Sequence, residues 1–101
     1  MKVILTFTLV PVNAGLSLSP YIAACKRILL DSGLACEFHS NGTNVEGEWD
    51  LVFETIKHCQ LKVHAMGADR VFTTIQFSTR TDKDQRMNEK LKSVDKYLST
   101  S

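Results

Sequence analysis

Residues 34 to 47 read LACEFHSNGTNVEG. Leu34, Cys36 and Phe38 alternate with Ala35, Glu37 and His39, the period of two that gives a strand one apolar face. Asn41-Gly42 is the strongest short-range hairpin signal, and residues 43 to 47 return beside the first strand. If Asn41 and Gly42 are the central pair of a type I′ turn, Ser40 opposes Thr43, His39 opposes Asn44, Phe38 opposes Val45 and Glu37 opposes Glu46. That register sets two carboxylates face to face, and like charges directly opposed across strands cost about 0.2–1 kcal/mol. A local rule broken in this way is where a functional site is expected.

Outward from the hairpin, the other elements follow by periodicity. Upstream, residues 2–10 alternate as a strand with Val3, Leu5, Phe7 and Leu9 on one face, and a loop with Pro11, Asn13 and Gly15 follows. Ser19-Pro20 predicts an N-cap with proline at the first helical position, and Ile22, Cys25, Ile28 and Leu29 form an apolar stripe ending at Gly33. Downstream, the period turns helical from Glu48, with Trp49, Val52, Phe53, Ile56, Cys59, Val63 and Met66 on one face and Gly67 as terminator. Residues 69–80 read as a strand, expected at the centre of the sheet. Asp82 and Gln85 resemble a capping box before a last stripe of Met87, Leu91, Val94 and Leu98. The order predicts an α+β fold, a ferredoxin-like βαββαβ sandwich with an additional C-terminal helix. Its helices would bury Leu5, Phe7, Phe38, Val45, Ile75 and Phe77.

The chain has 101 residues, 12 Lys+Arg against 11 Asp+Glu and 44% hydrophobic residues. A chain of this size buries roughly 65% of its unfolded surface, enough for one core without staples, so residues 1–101 read as a single domain. A net charge of +1 provides no field for a polyanion, so no nucleic-acid partner is expected. Cys25, Cys36 and Cys59 contain no CxxC and sit at apolar periodic positions, which reads as buried free thiols in a cytoplasmic protein. The opening MKVILTFTLV shows strand alternation and is cut by Pro11, which argues against a signal peptide and a membrane span.

The strand residues pointing away from the helices are Thr6, Thr8, Glu37, His39, Asn44, Glu46, Thr74, Gln76 and Ser78. Solvated faces usually carry Lys and Arg; this one carries hydrogen-bonding groups and acids, which suits a wet interface or a small polar ligand. Residues 31 to 56 hold six acids and no Lys or Arg, whereas from Asp69 onward seven bases face five acids. The acidic segment suits a cationic ring compound. The histidines lack metal spacing, no phosphate-binding glycine loop is present, and no nucleophile stands with a base, so no metal and no enzyme are expected. His39 beside a glutamate as an acid/base unit is the minority reading.

The run His39-Ser40-Asn41-Gly42-Thr43-Asn44-Val45-Glu46-Gly47-Glu48-Trp49-Asp50, with Arg80-Thr81-Asp82-Lys83 further on, resembles the small thiamine-binding protein family. The likeness runs over almost the whole chain, including the early Val-Pro-Val. It implies non-catalytic binding of thiamine or its hydroxymethylpyrimidine moiety, in a carrier or sensor role, by a homo-dimer or homo-tetramer that needs no cofactor. In that setting Glu46, with Glu37 near it, would pair with the thiazolium or accept the exocyclic amine, and Ser40 and Thr43 would bond the ring nitrogens. Trp49 has the shape to stack on a ring but also lies on the apolar stripe of the second helix. Arg80 would hold a phosphate or a neighbouring subunit, or pair with Asp82. Thr8 and Thr74 complete the candidate set. The alternative is a regulatory or structural oligomerisation module without a bound vitamin.

Overall fold

The computed structural model describes residues 1–12, 15, 17–82 and 87–99. Asn13, Lys83 and Gln85, part of the expected loop, motif and capping box, lie outside them. The elements are β1 (Lys2–Val12), α1 (Ser19–Asp31), β2 (Ala35–His39), β3 (Gly42–Glu48), α2 (Trp49–Ala65), β4 (Arg70–Ser78) and α3 (Met87–Ser99). The strands form one antiparallel sheet in the order β2-β3-β1-β4. With α1 and α2 packed on one face, this is the ferredoxin-like sandwich with an additional helix. Contrary to expectation, β4 is an edge strand and β1 and β3 are the inner ones. The reason lies in side-chain burial: Val3, Leu5 and Phe7 of β1 and Val45 of β3 are buried, whereas Phe72 and Phe77 of β4 are exposed.

The core joins those strand residues to Cys25 and Leu29 of α1 and to Val52, Ile56, Cys59 and Val63 of α2. The α1 residues are four apart and those of α2 follow a three-to-four spacing, so each helix presents one buried stripe. Helix α1 starts one residue earlier than the proline signal suggested. Leu18 is the N-cap, Ser19 is already helical, and the Ser19 N–H donates to Ser17 Oγ at 3.4 Å. At the end of α2, Gly67 takes φ +112°, its N–H donates to the His64 carbonyl at 3.0 Å, and the Ala68 N–H donates to the Val63 carbonyl at 3.3 Å. This pair of bonds is the Schellman arrangement, which needs a residue free to adopt positive φ at that point.

Two further expectations are corrected. In the hairpin His39 pairs with Gly42, Phe38 with Thr43, Glu37 with Asn44 and Ala35 with Glu46, so Ser40-Asn41 is the loop. Glu37 and Glu46 therefore do not oppose each other. A shift of two residues in partner leaves every side chain on its expected face, since only an odd slip inverts a strand. Second, Phe38 and Phe77 belong to the core face but are 36% and 50% exposed. Both sit on edge strands, where the helices cover them only in part: Lys26 of α1 lies over the Phe38 ring, and Trp49 and Phe53 of α2 pack edge-on against Phe77.

The apolar stripe of α3 is not buried on the sheet. Met87 is buried, while Leu91 and Val94 are 59% and 57% exposed. The helix is anchored at its start, where the Met87 N–H donates to Glu46 Oε2 at 3.1 Å.

Candidate functional site

The third residue of β1's core face, Phe7, is followed by Leu9 near the hairpin tip, and α1 crosses above them. Ile22, Cys25, Lys26 and Leu29 are spaced three and four apart, so one side of α1 looks down on that end of β1. The gap between α1, β1 and the tip is a cavity of about 320 Å³. Phe7, Leu9, Tyr21, Cys25, Leu29 and Phe38 give it apolar and aromatic walls, and Ser40, Asn41 and Thr43 bring polar groups to the hairpin side. Its size and its mix of apolar wall and few polar groups are those of a small-molecule site. Lys26 also lines it and bridges two of its walls, with Nζ 4.8 Å from the centroid of the Phe38 ring.

Gly42 fixes the hairpin against β1. It adopts φ +152°, and a Cβ there would lie 3.0 Å from the Phe7 carbonyl oxygen and 3.1 Å from Thr8 Cγ2. The glycine thus serves a close backbone approach in the ladder, which explains why it is not a central turn residue.

On the opposite face of the sheet the residues form rows across the strands. Glu37, Asn44, Thr6 and Gln76 share one row, and Ala35, Glu46, Ile4 and Ser78 the next. Thr8 pairs with Thr74. Thr6 Oγ1 donates to Asn44 Oδ1 at 2.7 Å, and His39 Nε2 lies 3.1 Å from the same oxygen. His39 also borders the cavity, so it touches both faces at the tip.

The expected site residues therefore separate. Ser40, Thr43 and Thr8 line the cavity. Glu37 and Thr74 lie on the opposite face, and Glu46, on that face too, holds the start of α3. Trp49 packs in an aromatic cluster, 4.7 Å from Phe53 and 5.2 Å from Phe77 between ring centroids, the latter edge-on at 89°. Arg80 forms a bidentate pair with Asp82, Nε to Oδ1 at 2.9 Å and Nη2 to Oδ2 at 2.5 Å. Tyr21 and Lys26 were not singled out by sequence reasoning, and Phe38 was expected only as a core residue. For Lys26 the signal that could have found it is its i, i+4 spacing from Ile22, a cation on the flank of an otherwise apolar stripe.

All three cysteines are free. Cys59 donates towards Cys25, which pushes the Cys59 thiol up, burial adding to it, and lowers that of Cys25. Burial raises Cys36. None of them is a poised nucleophile by position: Cys59 is wholly buried and Cys25 nearly so. Among the described residues no cluster of three or more His, Cys, Asp or Glu could hold a metal ion. Among them, too, no helix is long and apolar enough to cross a membrane.

Similar proteins match most of this chain. The UPF0045 protein sll0230 of Synechocystis sp. is 46% identical over 101 residues, covering 100% of this chain and 84% of its own. The UPF0045 protein ECM15 of Eremothecium gossypii is 36% identical over 83 residues, covering 82% of this chain and 79% of its own. Among solved structures, the hypothetical protein MJ1052 of Methanocaldococcus jannaschii superposes with a TM-score of 0.85 at 26% identity, covering 93% of this chain and 96% of that one. A proposed thiamine biosynthesis/salvage protein from Thermotoga maritima superposes with a TM-score of 0.79 at 19% identity, covering 93% and 99%, a likeness of fold. The family pattern described as thiamine-binding protein matches residues 5–95. By that match and by the identity to its UPF0045 relatives, the chain belongs to the thiamine-binding protein family.

Proposed function

We propose that this protein binds thiamine or its hydroxymethylpyrimidine moiety without transforming it, in the cavity between α1 and the hairpin tip. The observation that carries this reading is the cavity itself: about 320 Å³, walled by Phe7, Tyr21 and Phe38 and edged by Ser40, Asn41 and Thr43. Aromatic walls take the flat face of a pyrimidine, and hydroxyl and amide groups answer its ring nitrogens and exocyclic amine. Family membership supports the ligand class. No nucleophile, activated base or metal cluster enters the argument, so a carrier or sensor role is preferred to catalysis, with no cofactor beyond the ligand. Three free thiols fit a reducing compartment, in keeping with a cytoplasmic protein.

Calorimetric titration with thiamine and with free hydroxymethylpyrimidine tests the proposal. Saturable heat is expected, and Thr43→Val and Ser40→Ala should each weaken binding about 3- to 10-fold, the value of about 0.5–1.5 kcal/mol for one hydrogen bond. Absence of heat and of any thermal shift with both compounds would overturn it.

The protein is also proposed to assemble as a homo-dimer or homo-tetramer. Exposed Leu91 and Val94 on α3, and exposed Phe72 on the edge strand β4, favour self-association. The same observation supports the second reading, an oligomerisation module without a vitamin, which the titration separates from the first.

A further inference from the structure

The charges around the cavity are the reverse of those that the acidic stretch of sequence suggests. Glu37 and Glu46 are on the far face of the sheet, and among the described residues no carboxylate lines the cavity. Among the described residues, the one formally charged group lining it is Lys26. Lys26 extends from α1 to Phe38 on β2, and among the described residues no acid lies within ion-pair distance of it; its ammonium rests on the ring face instead. A lysine placed so keeps its hydrocarbon stem on the apolar wall and its charge at the cavity mouth, unneutralised. Ser40, Asn41 and Thr43 stand across the same opening, and their polar groups are further partners for an oxyanion.

From this we infer that the cavity selects ring compounds carrying an anionic arm, in the thiamine series the phosphate esters, and that Lys26 is the residue that reads the arm. The ring enters between Phe7, Tyr21 and Phe38, and the phosphate stays at the mouth beside the Lys26 ammonium, which binds it as a point charge. The inference rests on the proposed vitamin-binding reading and deepens it: the cationic thiazolium alone has no counter-charge in the cavity, whereas a phosphate ester has one.

The test compares two pairs of probes on the wild-type protein and on Lys26→Met: hydroxymethylpyrimidine against its phosphate, and thiamine against thiamine monophosphate, with inorganic phosphate alone as a control. In the wild type each ester should bind about tenfold tighter than its alcohol, a difference of about 1.4 kcal/mol. The preference should shrink as ionic strength rises, since the mouth is exposed. Lys26→Met should abolish the preference, so that each ester binds no tighter than its alcohol, with an unchanged melting temperature as the folding control. Alcohols that bind as tightly as their esters, or a preference that survives Lys26→Met, would overturn the inference and leave the vitamin-binding reading standing. Inorganic phosphate binding as tightly as the esters would also overturn it, because the ring would then contribute nothing. Failure of all four organic probes to bind would remove both readings.

Discussion

Gly42 carries a tight constraint at the level of single residues. Its φ of +152° and the 3.0 Å approach that a Cβ would make to the Phe7 carbonyl oxygen leave no place for a side chain. Gly42→Ala should therefore destabilise the protein by about 1–3 kcal/mol, the usual cost of a backbone held where L-residues are disfavoured, measured by urea denaturation. It should also weaken ligand binding, because the tip it fixes supplies Ser40 and Thr43. A loss below about 0.5 kcal/mol, the ordinary scatter of surface changes, would contradict the steric account. The same glycine shows how far the sequence could be read. Asn41-Gly42 announced a hairpin correctly, but the pair signal assumes that the glycine is there for the turn. Nothing in a linear pattern reveals that β1 passes so close that the glycine is needed in the ladder, which moves the loop to Ser40-Asn41.

At the level of elements, α3 and α2 show opposite cases. The stripe of α2 and its stop at Gly67 were legible because burial and the C-terminal bonds follow directly from spacing and from glycine's freedom. The stripe of α3 was equally regular, yet periodicity states only that a face is apolar and does not say what covers it. Leu91 and Val94 remain exposed in the single chain. Val94→Arg should leave the melting temperature of the isolated chain within a few degrees and lower the mass found by light scattering; an unchanged assembly mass would remove α3 from the interface. Glu46 has its own consequence here. Its carboxylate accepts the Met87 N–H at the helix start, where negative charge also complements the helix dipole. Glu46→Ala should cost α3 about 0.5–2 kcal/mol, the range for a lost N-terminal cap, and speed hydrogen exchange in its first turns. Exchange rates equal to the wild type would show that the anchor lies elsewhere.

Across the whole molecule, the fold was legible because it depends on pattern: among the described residues, four strands and three helices in order. The cavity end was legible only in part. Ser40 and Thr43 sit in the contiguous hairpin, whereas the cavity's opposite wall comes from α1 and its position follows from tertiary packing. Alkaline pH tests the packing as a whole. Burial raises the Cys36 thiol above its ordinary value of 9.0, so above that pH the unfolded chain releases a proton that the folded chain retains. Below about pH 8 both states keep the proton and the contribution is fully present; with rising pH it is lost. Stability followed from pH 8 to 10.5 should fall less steeply in Cys36→Ala than in the wild type, and equal slopes would refute the assignment. One last consequence belongs to the anchor at Glu46. Helix α3 has 13 residues, a rod about 20 Å long at 1.5 Å per residue, rooted on the same strand that ends in the cavity's hairpin. Such a rod is a lever: a tilt of about 10° at its root sweeps the far end through about 3 Å. An adjustment of β3 too small to notice at the hairpin would thus be magnified into a displacement that a neighbouring molecule could sense.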